Sequence, residues 1–369
     1  MRDARRFRQP PLYAVRKYSA RLALFGVGAI LFGAGGAARS ATAPSAGPGV
    51  CREMDAGRIS QLDRIYRRGE FRIIYTVQGA HALASTVDRN GNGIPDRVED
   101  VATQLVAARR IYSGVIGLDH PLDMPRYARV RSIDVFLLDM KEGNGLAYDE
   151  AVNYRLAFDG PEGRCTLRID VGIDLANQNP TPAHELFHLY QYAYSMFKAR
   201  WFLEGTARWA EHALRAGAAR ESPLPATGPA LQDRFFSQTY RAASLWNRLA
   251  RISDPVGRIT LPDDLVNAVY LDGGVVVHDN LLHGAGFMKA LLEEMGEQSA
   301  HVASLRGWNR FNWNEADQKS QMHDQMMFEA VRRALMRSVT AETSRTAELQ
   351  GFLGAGSEWT AADHRAGAR

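Results

Sequence analysis

Cysteine is nearly absent: Cys51 and Cys165 are the only two in 369 residues. That excludes a disulfide-framework fold and any four-cysteine metal or iron–sulfur centre. One disulfide in an oxidising compartment and two buried thiols are both open readings of the pair. Long apolar runs are also lacking. The single conspicuous one, Leu22 to about Phe32, is short for a bilayer span, so no membrane span is expected in the mature chain. No internal repeat is present, which excludes solenoids and propellers. An excess of one charge is missing where it would matter. The net charge is +4, but residues 1–43 hold eight basic residues against Asp3 alone, a net +7, which leaves the remainder at −3. No basic patch interleaved with aromatics follows, so no nucleic-acid partner is expected.

What is present begins with a leader. "RLALFGVGAILFGAGGAARSATA" has a basic flank, an apolar centre and small residues where a signal peptidase cuts. Residues 1–43 therefore read as a signal peptide and leader, and the protein as exported to the periplasm or beyond. With 46% hydrophobic and 23% charged residues, the rest is composed to fold. "FRIIYTV" (71–77), "SIDVFLL" (132–138) and "CTLRIDV" (165–171) are strand-length β-branched or aromatic runs. Between the first two, Val101, Leu105, Ala108, Tyr112 and Val115 recur at helical spacing up to Gly117. Helices are expected over roughly 231–249, 280–295 and 323–352. The expectation is an α+β chain: a mixed-sheet part over 44–214, a connecting stretch at 215–230, a mainly helical part over 231–353 and a tail at 354–369.

The chemistry concentrates in "PTPAHELFHLYQYAYSMFKARWFLEGTARWAEH" (180–212). Thr181 and Pro182 read as a helix start, a capping hydroxyl followed by a proline whose missing N–H costs nothing there. The helix is expected to run to about Phe197. His184 and His188, four apart, project from one helical face and can hold one ion, with Glu185 placed to reach a water on it. Phe187, Tyr190, Tyr194 and Phe197 form a separate packing stripe. A second helix carries Leu203, Ala207, Ala210 and Leu214 on its apolar face. It also carries Glu204, with fifteen residues between it and His188, as the expected third ligand. Gly205 is expected to let the two helices approach. The competing reading makes Glu204, Arg208, Glu211 and Arg215 a solvated ladder of ion pairs, with Glu211 as the substitute ligand.

"DRNGNGIPDRVE" fits a calcium loop position by position: Asp88, Asn90 and Asn92 at one, three and five, Gly93 at six, the Ile94 carbonyl at seven, Asp96 at nine and Glu99 at twelve. Alternating oxygen donors closed by a bidentate carboxylate suit Ca2+. The plain alternative is an Asn-Gly turn with incidental acids. Strand-like sequence precedes the loop, so it is expected to stand alone and to launch a helix at Arg97.

Together, His184-Glu185-Leu186-Phe187-His188 and the E-G-x-A-x-W stretch at Glu204 to Trp209 resemble the zincin metallopeptidases, on their gluzincin side. More closely, the chain is similar to secreted bacterial metallopeptidases that place an N-G-N-G-I-P-D loop upstream of these two segments. The resemblance covers about 71–212. It implies Zn2+ on His184, His188 and Glu204, Glu185 as general base, and a polypeptide substrate whose bond is cut between an upper α+β half and a lower helical half. The chain departs from the thermolysin pattern, since Arg208 stands four after Glu204 where an acid would orient a histidine. Asp170 and Asp174 are candidates for that role. His278, His283, Tyr240 and Tyr270 are candidates for an oxyanion donor, and "EGNGLAYDEA" (142–151) for a substrate-pairing edge strand. A catalytically silent peptide- or surface-binding protein with a structural calcium loop is the alternative function, and a purely structural helical protein a third.

Overall fold

The computed structural model describes residues 50–215 and 217–366, with side chains to Gly356. The leader expected at 1–43 lies outside them. One compact unit takes in all described residues. Its sheet has seven strands: β1 (Arg52–Glu53), β2 (Arg64–Arg68), β3 (Phe71–Tyr75), β4 (Ser132–Leu138), β5 (Gly145–Ala147), β6 (Val152–Asn153) and β7 (Thr166–Gly172). They run in the order β1-β6-β7-β4-β3-β2, and β5 pairs with β7. β3, β4 and β7 are mutually parallel, with Ser132 opposite Thr166 and Leu138 opposite Gly172. β2 and β5 are antiparallel to their neighbours. Parallel neighbours need a crossover, which α1 (Asp96–Arg109) supplies between β3 and β4.

Strand alternation divides the sheet's two faces. Ile73, Ile133, Val135, Leu137, Ile169 and Val171 enter the main core. Ile74, Phe136 and Leu138 face a smaller one closed by Ile59, Leu62, Tyr154 and Leu156. On that second face Arg72 is buried and donates to Asp134 at 2.7 Å, and it also pairs with Asp159. Cys51 and Cys165 form a disulfide, Cα atoms 5.7 Å apart, fastening the β1 edge to the start of β7.

The remaining helices are α2 (Thr181–Tyr194), α3 (Arg200–Ala210), α4 (Gly228–Leu231), α5 (Ala243–Ser253), α6 (Asp263–Val266), α7 (Ala285–Arg306), α8 (Glu315–Gln318), α9 (Asp324–Ser338) and α10 (Ala347–Ala366). The expected α+β class is present. The expected 231–249 helix is broken between residues 237 and 242, and the 323–352 helix at 339–346. The 280–295 helix instead starts after Gly284 and stops at Gly307, both in the left-handed region that glycine adopts freely. α10 continues as helix through most of the stretch expected as a tail. The main hydrophobic cluster takes residues from β3, β4, β7, α1, α2, α3, α5, α7 and α9 alike, so 215–230 connects parts that share one core. Among the described residues no helix is long and apolar enough to cross a membrane.

Candidate metal centre

α2 begins close to the sequence expectation, but with a different cap. Pro180 stands at the cap position and offers no capping side chain, Thr181 lies inside the helix, and Asn179 Oδ1, just before the cap, accepts from the Thr181 amide at 3.0 Å and its hydroxyl at 2.7 Å. The helix ends at Tyr194, where Ser195 turns extended. Phe187 and Tyr190 pack edge-on against Tyr112 of the segment that continues α1. That contact fixes the rotation of α2, and a separate face, about a third of a turn away, presents His184 and His188 to α3.

There Glu204 meets them. Its Oε2 lies 3.2 Å from His184 Nε2 and 3.7 Å from His188 Nε2. Among the described residues these three are the one group of His, Cys, Asp and Glu side chains whose ligand atoms lie within 4.8 Å of one another. The second nitrogen of each imidazole is separately held. His184 Nδ1 is 2.8 Å from Glu211 Oε1, and His188 Nδ1 is 2.7 Å from Gln191 Oε1. Gln191 in turn donates to the Leu203 carbonyl at 3.0 Å and to the Thr206 hydroxyl at 2.6 Å, which ties α2 to α3. Both Nε2 atoms are thus aimed at Glu204 by partners on the far side of each ring, the arrangement that fixes tautomer and direction in metal-ligating histidines. Neither Asp170 nor Asp174 has this role. Asp170 is held by Arg168, Arg58 and Tyr148, and the Asp174 carboxylate lies beside Gly172.

The ion-pair ladder exists in part. Glu211 Oε2 lies 3.3 Å from both Arg208 and Arg215, while Glu204 turns away toward the histidines. Gly205 also acts differently from the expectation. A Cβ there would lie 2.4 Å from the Trp246 ring, so the close approach is to α5 rather than to α2.

Charges respond to this crowding. Burial disfavours a proton on His184, but Glu204 and Glu211 outweigh it and push the imidazole up to about 9. Burial would raise Glu204, yet the two histidines hold it well below the usual carboxylate range. A cation at the shared position is therefore favoured by its surroundings, and a metal there would displace a proton. Glu185 is buried, which pushes its carboxyl up against the lowering pull of His188 and His184. Its backbone partner is Ala147 of β5. The strand passes close: a Cβ on Gly145 would lie 2.6 Å from Thr181 Cγ2 and 2.9 Å from Glu185 Oε1. β5 pairs on one side with β7, and its middle residue, Leu146, is exposed.

Of the four oxyanion candidates, Tyr240 alone is at this site. Its ring is 6.2 Å from that of His184, and burial together with Glu204 pushes its phenol up to about 12. Tyr270 is buried and takes a hydrogen bond from Gln104 at 2.7 Å. His283 Nδ1 faces the Asp254 carbonyl, and the His278 amide donates to Ala213. Gln191 was not singled out by its sequence, although its place three residues after His188 puts it on the ligand face. Tyr192, stacked on His188 at 6.0 Å, was also missed.

The second expected site folds as a tight loop. Asp88 accepts from the amides of Gly91, Asn92 and Gly93, and Gly91 and Gly93 both have positive φ. The side-chain amides of Asn90 and Asn92 donate to Glu99 at 3.0 and 2.9 Å, bringing positions three, five and twelve together. Ile94 donates its amide to Asn92 Oδ1. Asp96 is engaged by Arg89 inside the loop: it accepts from the Arg89 amide at 2.7 Å and pairs with the Arg89 guanidinium, and it is the first residue of α1. No family model, curated protein or solved structure matches the chain.

Proposed function

We propose that the protein is an exported zinc-dependent metallopeptidase of the zincin type. The observation that carries this reading is the convergence of His184, His188 and Glu204 with each Nδ1 already engaged. Two imidazoles and a carboxylate suit zinc and leave a position open for a reactant. A zinc ion held there would act as a Lewis acid and acidify a water. Glu185, buried beside the histidines, accepts the proton of the attacking water and passes it to the leaving amine. Tyr240 donates its phenolic hydrogen toward the developing oxyanion. The exposed edge of β5 pairs with an extended peptide by strand addition, and its hold on Glu185 through Ala147 sets the cleaved bond against the base. The loop at 88–99 holds a structural Ca2+, with Asp88, Asn90, Asn92, the Ile94 carbonyl and Glu99 as its oxygen donors. The leader pattern and the disulfide support export.

The test compares the wild type with Glu185→Gln on a mixed peptide substrate, with zinc and with a chelator. The expected result is a loss of about a hundredfold or more in the variant at full zinc content. Equal turnover in the two proteins, or turnover indifferent to chelation, contradicts the reading.

A further inference from the structure

A groove of about 1140 Å3 includes Arg208 and Tyr240 in its wall and so adjoins the metal cluster. The Arg208 guanidinium lies over the Tyr240 ring at 5.2 Å. Arg215, Arg220, Arg234 and Arg241 also line it. Two acids do as well, but Glu221 is paired with Arg248 and Arg251, which are not among the lining residues. Arg220, Arg234 and Arg241, together with Arg208 and Arg215 that share the single carboxylate of Glu211, therefore stand against Asp233, the one lining carboxylate without a cationic partner among the described residues. This concentration belongs to a chain whose charge outside residues 1–43 is −3, so it is local rather than a general basicity. A cleft walled with one sign of charge concentrates ligands of the other.

The arginines are also oriented. Glu211 holds one nitrogen each of Arg208 and Arg215, and Arg234 donates to the Pro223 carbonyl at 2.7 Å. Each keeps further N–H groups for a ligand, and the planar guanidinium matches a carboxylate in bidentate fashion. Among the described lining residues Tyr240 is the one Phe, Tyr or Trp, joined only by the His212 imidazole, which is little platform for stacking successive bases. These features favour carboxylates on a peptide over a nucleic-acid strand.

We propose that the groove receives an acidic stretch of the polypeptide substrate, so that Asp and Glu side chains on one side of the cleaved bond select the site. This inference rests on the peptidase reading for the cut, but not for the binding. The test therefore uses the zinc-loaded full chain carrying Glu185→Gln and fluorescent peptides. One peptide carries Asp and Glu on one side, and one has Asn and Gln in their place. Each is made with a free and with an amidated C-terminus.

The acidic peptide is expected to bind about tenfold tighter at low salt, with free and amidated ends alike. The advantage should shrink as salt rises from about 50 to 500 mM and should fall several-fold in Arg234→Ala/Arg241→Ala. The salt series on the unaltered arginines keeps the test valid even if that variant folds poorly. Equal binding of acidic and neutral peptides overturns the inference. So does an advantage that follows the free C-terminus alone, or displacement by a single-stranded oligonucleotide that binds more tightly than the peptide. Equal binding in a chain whose wild type cuts peptides sinks the groove and leaves the peptidase. Acidic selectivity in a chain that cuts nothing does the reverse.

Discussion

Gly145 marks how little room the site leaves. Any side chain there meets Thr181 and Glu185 at 2.6 to 2.9 Å, so either β5 or the Glu185 carboxylate must move. Gly145→Val should lose about a hundredfold or more in turnover, since a displacement of about 1 Å costs that much, while keeping its metal because no ligand is touched. Undiminished turnover would show that β5 does not position the base. The residues of the cluster were legible because a helix converts a spacing of four into a shared face. His184, Glu185 and His188 needed nothing else, and Glu204 followed from the need for a third donor. The partners behind them were not legible. Glu211 fitted an ion-pair ladder equally well, and only the packing of α3 on α2 shows that one of its oxygens serves His184 while the other holds Arg208 and Arg215.

At the scale of elements, the sequence showed the strands of the sheet centre well because their alternation matches two buried faces. Two of the three C-terminal helices were read as continuous where the chain breaks, while α7 runs past the end expected for it. Apolar residues recur on both sides of 237–242 and 339–346, and periodicity alone cannot register a change of direction between two segments that join the same core. Asp324, at the start of α9, offers a test of that packing. It accepts from the Trp201 indole at 2.9 Å, and burial pushes its carboxyl up to about 6. A folded value above the ordinary 3.8 means that the native state holds the proton more tightly. This contribution to stability is complete below about pH 4 and is lost as pH rises through about 6. Asp324→Asn keeps an acceptor for Trp201 without the charge. Its melting midpoint should exceed that of the wild type at pH 8, by about 3 kcal/mol in stability, and match it near pH 4. A lower midpoint at pH 8 would contradict the account. For the loop at 88–99, millimolar Ca2+ should raise the midpoint of the wild type but not of Glu99→Gln, which loses the closing bidentate carboxylate. An equal response in both would make the loop a plain turn.

Across the whole molecule, two constraints bring the site together. The disulfide spans 114 residues, which in the chain-entropy model stabilises the fold by about 4 to 5 kcal/mol. The shared core lets α5, with Trp246 against Gly205, support the helix that carries Glu204. Length and composition could not reveal that sharing, because the change from strands to helices near 215–230 looks like a boundary until the packing is seen. On the reading proposed above, His184, His188 and Glu204 hold one metal ion. That reading is tested most directly by the metal content of the mature chain, purified without added zinc, beside Glu204→Ala. About one zinc per wild-type chain is expected, with a strongly reduced content in the variant. No zinc in the wild type, even after incubation with the metal, would contradict it and leave α2 and α3 as two packed helices.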